Sequence, residues 1–239
     1  MTEITIHGFG PAMGLEDLSP FCIKLQSYLK LAKLPFETQP GNPQSSPKGK
    51  LPYITFRGKK YSDTYFIIQM LNKTFELDLD QLLTREQRIW TATYRSSLEE
   101  HLYFLLLYFR WQDKEGWEGY RGHIQETLKR GGVPGMIAPI LTKVVRNSVL
   151  KSLKAQGTGR HQREEVAKLG KEHIHAMVQI LGDNAFAMGE QATSLDATFY
   201  AFLTSILTPP LDSPIKQEAL KHPTLQEYCE RFRATYFAD

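Results

Sequence analysis

Residues 19–22, Ser-Pro-Phe-Cys, place a hydroxyl and a thiol at the start of a predicted helix. Pro20 suits the first helical position, and Ser19 suits the position before it, where a side-chain oxygen caps free backbone N–H groups. Two such groups separated by two residues, just after a strand, are also an arrangement in which thiol chemistry is often performed. From the residues alone, Ser19 is a cap, a catalytic residue, or both.

Cys22 lies three residues into that helix, on its apolar side. A cysteine in such a position is more often a small packed side chain than a reactive thiol. Because no cysteine stands at position 19, Cys22 has no internal partner, and disulfide reductase activity is not predicted. Cys229 falls in an amphipathic segment and is predicted to pack. Two cysteines so far apart suit a reducing compartment.

Asp63 and Thr64 form a second polar pair, directly before another helical run. Their oxygens can cap that helix, and the free N–H groups at its start can equally bind a carboxylate. Pro52 either follows a cis bond from Leu51 or simply opens a strand. Lys50 is a candidate partner for a ligand carboxylate or a solvated loop lysine.

Other residues that could carry chemistry give weaker signals. His173 and His175 are two apart on a predicted helix and do not share a face, so no metal site is predicted. Several aromatic side chains of the long helical run can line a hydrophobic cleft or pack in the core, and none is named as a site residue. These aromatic residues are Trp90, Tyr94, Tyr103, Tyr108 and Trp111.

The first 80 residues carry these groups on alternating strands and helices. Residues 4–9 alternate in polarity as a strand does, and apolar residues recur at helical spacing from 21 to 32. A short strand at 35–41, a hairpin turning at Gly58 and a helix at 64–75 follow. The order β-α-β-β-β-α predicts a small open sheet covered by helices.

From about residue 84 the pattern becomes helical. Thr84 with Gln87 three residues later has the spacing of a capping box, and this pair opens a run that ends near residue 113. Thr193 and Asp196 have the same spacing at the start of a buried helix. The linker between the two parts is predicted at about residues 78–85. Further helices are predicted at 140–156, 163–183, 193–207 and 222–237.

Composition and charge exclude several classes of protein. The 239 residues are 41% apolar and 23% charged, which is ordinary for a globular protein. A net charge of +3 without a long basic block argues against a nucleic-acid binder. The longest apolar run, near 102–109, is too short to span a bilayer, and the N-terminus has no signal-peptide pattern. A cytoplasmic location is therefore expected.

The whole layout resembles that of the glutathione transferase superfamily. Three segments are similar to motifs of that family, namely "GKLPYI" at 49–54, "YSDTYFII" at 61–68 and "TSLDATFYAFL" at 193–203. More narrowly, "LSPFCIKLQSYLKLAKLPFE", "KAQGTGRHQREEV" and "LGDNAFAMGEQATSLDATFYAFL" resemble the metaxin and failed-axon-connections branch. The resemblance implies an α/β thioredoxin-like domain over 1–80 and an all-α helical bundle over 84–239.

The resemblance also implies glutathione as co-substrate and assigns a role to each candidate residue. It implies that Pro52 is cis, so that the backbone of Leu51 pairs with the tripeptide. It implies that Asp63 and Thr64 grip the γ-glutamyl end, while Lys50 faces the glycyl carboxylate. A homodimer is expected on the same ground.

In thioredoxin-like folds, the position of Ser19 holds the first cysteine of Cys-x-x-Cys. A serine there implies a hydrogen bond to the thiolate of bound glutathione, which then attacks a hydrophobic electrophile. The first strand ends in "HGFG" and offers no tyrosine for the tyrosine-dependent variant. The alternative is a non-catalytic binding or scaffold protein, because metaxin-like relatives are associated with mitochondrial import.

Overall fold

The computed structural model describes residues 3–238 and contains the predicted elements in the predicted order. The strands are β1 (Ile4–Gly8), β2 (Phe36–Pro40), β3 (Tyr53–Phe56) and β4 (Lys59–Ser62). The helices of the first part are α1 (Pro20–Leu31) and α2 (Thr64–Phe75). The helices of the second part are α3 (Arg85–Ser97), α4 (Tyr103–Leu107), α5 (Lys114–Arg130), α6 (Ala138–Gln156), α7 (Arg163–Leu181), α8 (Ser194–Leu207), α9 (Pro214–Ala219) and α10 (Pro223–Tyr236).

The four strands form one mixed sheet in the order β2-β1-β3-β4. Strand β1 runs parallel to β2 and antiparallel to β3, with Ile6 opposite both Thr38 and Ile54. Strands β3 and β4 form the predicted hairpin. Its turn passes through Gly58 at a φ of 75°, a conformation that glycine adopts without steric cost. The predicted sheet is therefore confirmed.

Helix α1 packs between the sheet and the helical part. Leu25 and Leu29 contact the apolar side chains of the sheet, whereas Ile23 belongs to the larger core around α8. Helix α8 is buried along almost its whole length. Its start is fixed as predicted, because the N–H of Thr193 donates to Asp196 Oδ2 at 2.8 Å. Helix α1 thus contributes side chains both to the core under the sheet and to the larger core around α8.

The long run after Thr84 is nearly continuous, with π-helical turns at Leu98–Leu102 and Tyr108–Gln112 interrupting it. Its predicted capping box is present, since the N–H of Gln87 donates to Thr84 Oγ1 at 3.2 Å. Within residues 3–238, no helix is both long and apolar enough to cross a membrane.

Two helices lie where the sequence pattern makes no prediction. Helix α5 contains Gly116, Gly119 and Gly122, and glycine costs about 1 kcal/mol in a helix relative to alanine. At Gly116 a Cβ atom would come within 1.6 Å of the Phe109 carbonyl oxygen, so the close packing of α5 requires glycine there. Helix α9 is only six residues long, too short for a clear period.

Candidate active site

Ser19 occupies the position before α1, but its side chain makes no capping hydrogen bond. The backbone adopts an extended conformation (φ −100°, ψ 128°), and the Ser19 carbonyl accepts from the N–H of Cys22 at 3.0 Å. The residue is half-buried and lies on the wall of a cavity. Helix capping therefore does not engage the Ser19 hydroxyl, which lies within hydrogen-bonding reach of the Cys22 thiol.

The cavity beside Ser19 has a volume of about 840 Å³ and lies between the first part of the chain and the helical bundle. This volume is within the range of about 300–1,000 Å³ that small-molecule sites occupy. Its bundle side is mainly apolar, and it is formed by Leu106, Leu107, Ile124, Leu128, Val145 and Val149. Such a wall suits a hydrophobic substrate.

Of the five aromatic residues considered as cleft walls, Tyr103 and Trp111 line this cavity. The remaining three are absent from the described lining. Trp90 and Tyr94 stack on each other at 5.8 Å, and Tyr108 packs edge-on against Phe109. A helix of several turns presents a single stripe to one neighbour, so residues spread around it do not share one cavity.

A buried carboxylate, Asp17, lies under the start of α1 and on the same cavity. Its oxygens accept from the N–H of Gly10 at 2.8 Å and from the N–H of Ser19 at 2.9 Å. Burial raises the pKa of Asp17 to about 6, although the backbone N–H groups oppose the shift. A Cβ atom on Gly8 would come within 2.4 Å of Asp17 Oδ2, which requires glycine at that position.

Asp17 was not predicted from the sequence. The available signal was its position two residues before the helix start, where an aspartate can accept from the backbone N–H of the second following residue. In the structure, the Asp17 carboxylate has two effects. It fixes the backbone of Ser19, and it adds a carboxylate to the cavity wall beside the start of α1.

Cys22 is fully buried next to this carboxylate. Burial and the Asp17 charge raise the pKa of the Cys22 thiol well above its usual value. A thiol is an effective nucleophile only as the thiolate, so these surroundings agree with a packed rather than a reactive Cys22.

Arg110 brings a positive charge to the cavity wall, next to Leu18. The side chain is buried, and its guanidinium donates to the carbonyl of Ser205 at 2.7 Å and to that of Leu18 at 3.4 Å. Among the residues described, no carboxylate forms an ion pair with it. A buried cation without such a partner favours an anion in the adjoining space.

The remaining predicted residues are absent from the described lining of this cavity. The Leu51–Pro52 bond is cis, as predicted. Leu51 is half-buried just before the paired part of β3. Its side chain packs against Gly41, where an added Cβ would come within 2.7 Å of Leu51 Cδ2. Because Gly41 lines the cavity, Leu51 adjoins it.

Asp63 and Thr64 stand at the start of α2, as predicted. Asp63 caps the helix, because its Oδ1 accepts from the N–H of Tyr65 at 3.1 Å. Its other oxygen lies 3.4 Å from Lys48 Nζ, in an exposed ion pair. Lys50 is exposed, and its predicted role towards a ligand carboxylate stays a prediction. The lysine that reaches Asp63 is Lys48, which the sequence does not single out.

Thr64 is tied to a buried charge that the sequence did not reveal. Its Oγ1 accepts from Lys24 Nζ at 3.0 Å, and the same ammonium lies 2.6 Å from Glu99 Oε1. The Lys24 side chain is 2% exposed, and burial lowers its pKa although Glu99 opposes the shift. Lys24 therefore joins the start of α2 to the helical bundle and leaves the Thr64 hydroxyl proton free to donate.

Family models of two domains match the chain. The glutathione S-transferase N-terminal domain matches residues 20–116, and the glutathione S-transferase C-terminal domain matches residues 170–232. A β-etherase from Sphingobium sp. strain SYK-6 has a similar fold, with a TM-score of 0.63, 15% identity and coverage of 98% of this chain and 96% of that one.

Three curated relatives span almost all of the chain. An isoprene-epoxide–glutathione S-transferase from Rhodococcus sp. (strain AD45) is 33% identical over 98% of this chain and 99% of that protein. Failed axon connections from Drosophila melanogaster is 29% identical over 99% of this chain and 58% of that protein. Metaxin-2 from Homo sapiens is 26% identical over 91% of this chain and 82% of that protein.

The two domain matches agree with a first part that contains the sheet and a second part that is helical. This chain belongs to the glutathione S-transferase superfamily, in its metaxin and failed-axon-connections branch.

Proposed function

We propose that this protein is a glutathione transferase that activates the thiol of bound glutathione for attack on a hydrophobic electrophile. The observation that carries the proposal is the position of Ser19. Its hydroxyl has no capping partner, stands at the amino end of α1 and lines a cavity of about 840 Å³. The tripeptide would supply the nucleophile, and the protein would supply its position and the surrounding field.

In this proposal the tripeptide lies along the edge from α2 to α1. Asp63 contacts the ammonium of the γ-glutamyl end, while the backbone N–H and the hydroxyl of Thr64 bind its carboxylate. Lys24 lies behind this carboxylate and strengthens the site for an anion. The backbone of Leu51, before Pro52, pairs with the cysteinyl residue as a neighbouring strand would. Lys50 would be the charge partner of the glycyl carboxylate.

The sulfur of the tripeptide then meets Ser19 at the start of α1. A hydroxyl that donates to the sulfur, together with the helix dipole, lowers a thiol pKa of about 8.5. The charge of Asp17 acts against this shift, and the guanidinium of Arg110 acts with it. A hydrogen bond to a charged group contributes about 1.5–3 kcal/mol, which corresponds to about one to two pKa units.

The cavity favours a small apolar electrophile whose reaction creates a negative oxygen. One relative is named for an isoprene epoxide, and an epoxide fits this description. The sulfur–carbon bond would form as the carbon–oxygen bond breaks, and the resulting alkoxide would take a proton from solvent. Arg110, on the cavity wall, is placed to stabilise that negative charge before protonation.

A non-catalytic binding protein is the second candidate, because Metaxin-2 and Failed axon connections are also relatives. Calorimetry with glutathione separates the two functions. For the transferase we expect saturable binding with a dissociation constant in the millimolar range or tighter. A millimolar dissociation constant corresponds to a binding free energy of only about −4 kcal/mol. The control ligand is a tripeptide that lacks the γ-glutamyl linkage. Absence of binding at millimolar glutathione would instead favour the scaffold function.

We also propose a homodimer, formed by the exposed apolar side chains of α2 and α3. Phe66 and Ile89 are more than half exposed, and the Arg95 guanidinium of α3 lies 4.6 Å from the ring of Tyr65, which is 40% exposed. This contact joins the exposed sides of the two helices. A large exposed apolar patch commonly marks a protein interface.

We expect Phe66→Asp to shift the protein from dimer to monomer in sedimentation equilibrium, because a buried unpaired carboxylate opposes the interface. Met136→Asp is the matched control, since Met136 is 92% exposed and lies outside this surface. A wild-type monomer at tens of micromolar, or a dimer that survives Phe66→Asp, would contradict the proposed interface.

A further inference from the structure

We propose that His175, Glu218 and His222 form a site for a divalent transition metal, with zinc as the expected ion. One possible ligand atom from each residue lies within 4.8 Å of the other two. The residues come from α7, the end of α9 and the position before α10, and they are not on the described lining of the cavity. The site is therefore independent of the proposed transferase chemistry.

The distances are close to those of a tetrahedral zinc site. Zinc binds imidazole nitrogen and carboxylate oxygen at about 2.0–2.2 Å, which places neighbouring ligand atoms about 3.3 Å apart. His175 Nε2 lies 3.1 Å from Glu218 Oε1, and His222 Nε2 lies 3.9 Å from the same oxygen. A small rotation of the imidazoles would complete the geometry. The fourth position would be open to water.

The two oxygens of Glu218 have different partners. Oε1 faces both histidines, whereas Oε2 lies 2.9 Å from Lys221 Nζ and 3.8 Å from Lys171 Nζ. Groups that bind the outer oxygen of a ligating carboxylate fix its orientation. The lysines thus hold Oε1 towards the histidines.

The charge of the two lysines opposes a cation, but three features limit this effect. Both ammonium groups lie on the outer oxygen, their side chains are 43% and 64% exposed, and solvent screens them. His222 Nε2 gives a separate indication of a ligand. This nitrogen is shut off from solvent and has no hydrogen-bond partner among the described residues. A metal bond would satisfy it.

The sequence pattern does not indicate this site, because the histidine nearest to His175 in the chain is His173, which does not share a helix face with it. The structure separates that pair, since His173 Nε2 lies 2.8 Å from His101 Nδ1 instead. The proposed ligands are brought together only by the packing of α7 against α9. Glu218 and His222, four residues apart, supply the other half of the site.

The test uses the full chain without a histidine tag, after treatment with a chelator. We expect about one equivalent of Co²⁺ to bind with the intense visible absorption of tetrahedral cobalt, and Zn²⁺ to displace it. His175→Ala and His222→Ala should each weaken binding at least about tenfold. With zinc at about 100 times its dissociation constant, the melting temperature of the wild type should rise by about 5–10 °C.

His123→Ala is the matched control, because His123 lies on α5 and should leave metal binding unchanged. Circular dichroism of the metal-free variants establishes that they fold. His175 is exposed, so its replacement decides the test even if His222→Ala is unstable. Binding that survives His175→Ala, or a wild type that binds cobalt no better than His175→Ala does, would overturn the proposal. Neither result depends on glutathione binding.

Discussion

Replacing Ser19 with alanine should slow glutathione conjugation at neutral pH by about 10- to 100-fold, while glutathione still binds. The expected loss corresponds to one hydrogen bond to a charged sulfur, about 1.5–3 kcal/mol. The same change should raise the pH at which bound thiol ionises by about one to two units. Ultraviolet titration of the complex measures this pH, and initial rates with an epoxide measure the conjugation.

The stability of the variant distinguishes catalysis from helix capping. Because the Ser19 side chain makes no capping hydrogen bond, Ser19→Ala should leave the melting temperature within about 2 °C of the wild type. Ser27→Ala is the matched control, since Ser27 lies on the same helix with an unpartnered hydroxyl and should not change the rate. A lower melting temperature with an unchanged titration would show that Ser19 only caps.

Replacing Glu99 with glutamine should lower the free energy of unfolding by about 3–5 kcal/mol, equivalent to about 6–20 °C in melting temperature. The substitution leaves the Lys24 ammonium, which is 2% exposed, without its carboxylate at 2.6 Å. Urea unfolding at pH 7 measures the loss. Because Lys24 also donates to Thr64 Oγ1, we expect glutathione binding to weaken in the same variant.

An exposed ion pair and a double variant provide the controls. Glu3→Gln breaks a pair with Arg57 in which both side chains are more than half exposed, and it should cost at most about 1 kcal/mol. Adding Lys24→Met to Glu99→Gln should recover most of the stability, because the uncompensated charge is then removed. A single Glu99→Gln variant as stable as Glu3→Gln would contradict this account of the domain contact.

Local sequence patterns predict much of the fold. The capping boxes at Thr84 and Thr193 and the limits of α2 depend on residues within one or two turns, so the sequence shows them directly. Helix α5 escaped prediction because its three glycines lower helix propensity, while the close contact at Gly116 depends on a distant carbonyl.

The residues of the candidate site also fall into two groups, those that the sequence indicates and those that only the folded structure brings together. Ser19, Asp63 and Thr64 stand at helix starts, and a helix start is visible in sequence. Asp17 and Arg110 act through contacts that the fold creates, such as the bond from Arg110 to Ser205, 95 residues away. The Lys24–Glu99 pair joins residues 75 positions apart. No local pattern specifies such pairs, because tertiary packing decides which charges meet.

The most direct test of the central claim is ultraviolet titration of the wild-type protein saturated with glutathione. The claim is that the start of α1 holds the sulfur of the tripeptide as an anion beside Ser19. We predict that the bound thiol ionises at least one pH unit below the ordinary thiol value of about 8.5. Ionisation of bound glutathione at the same pH as free glutathione would contradict the claim.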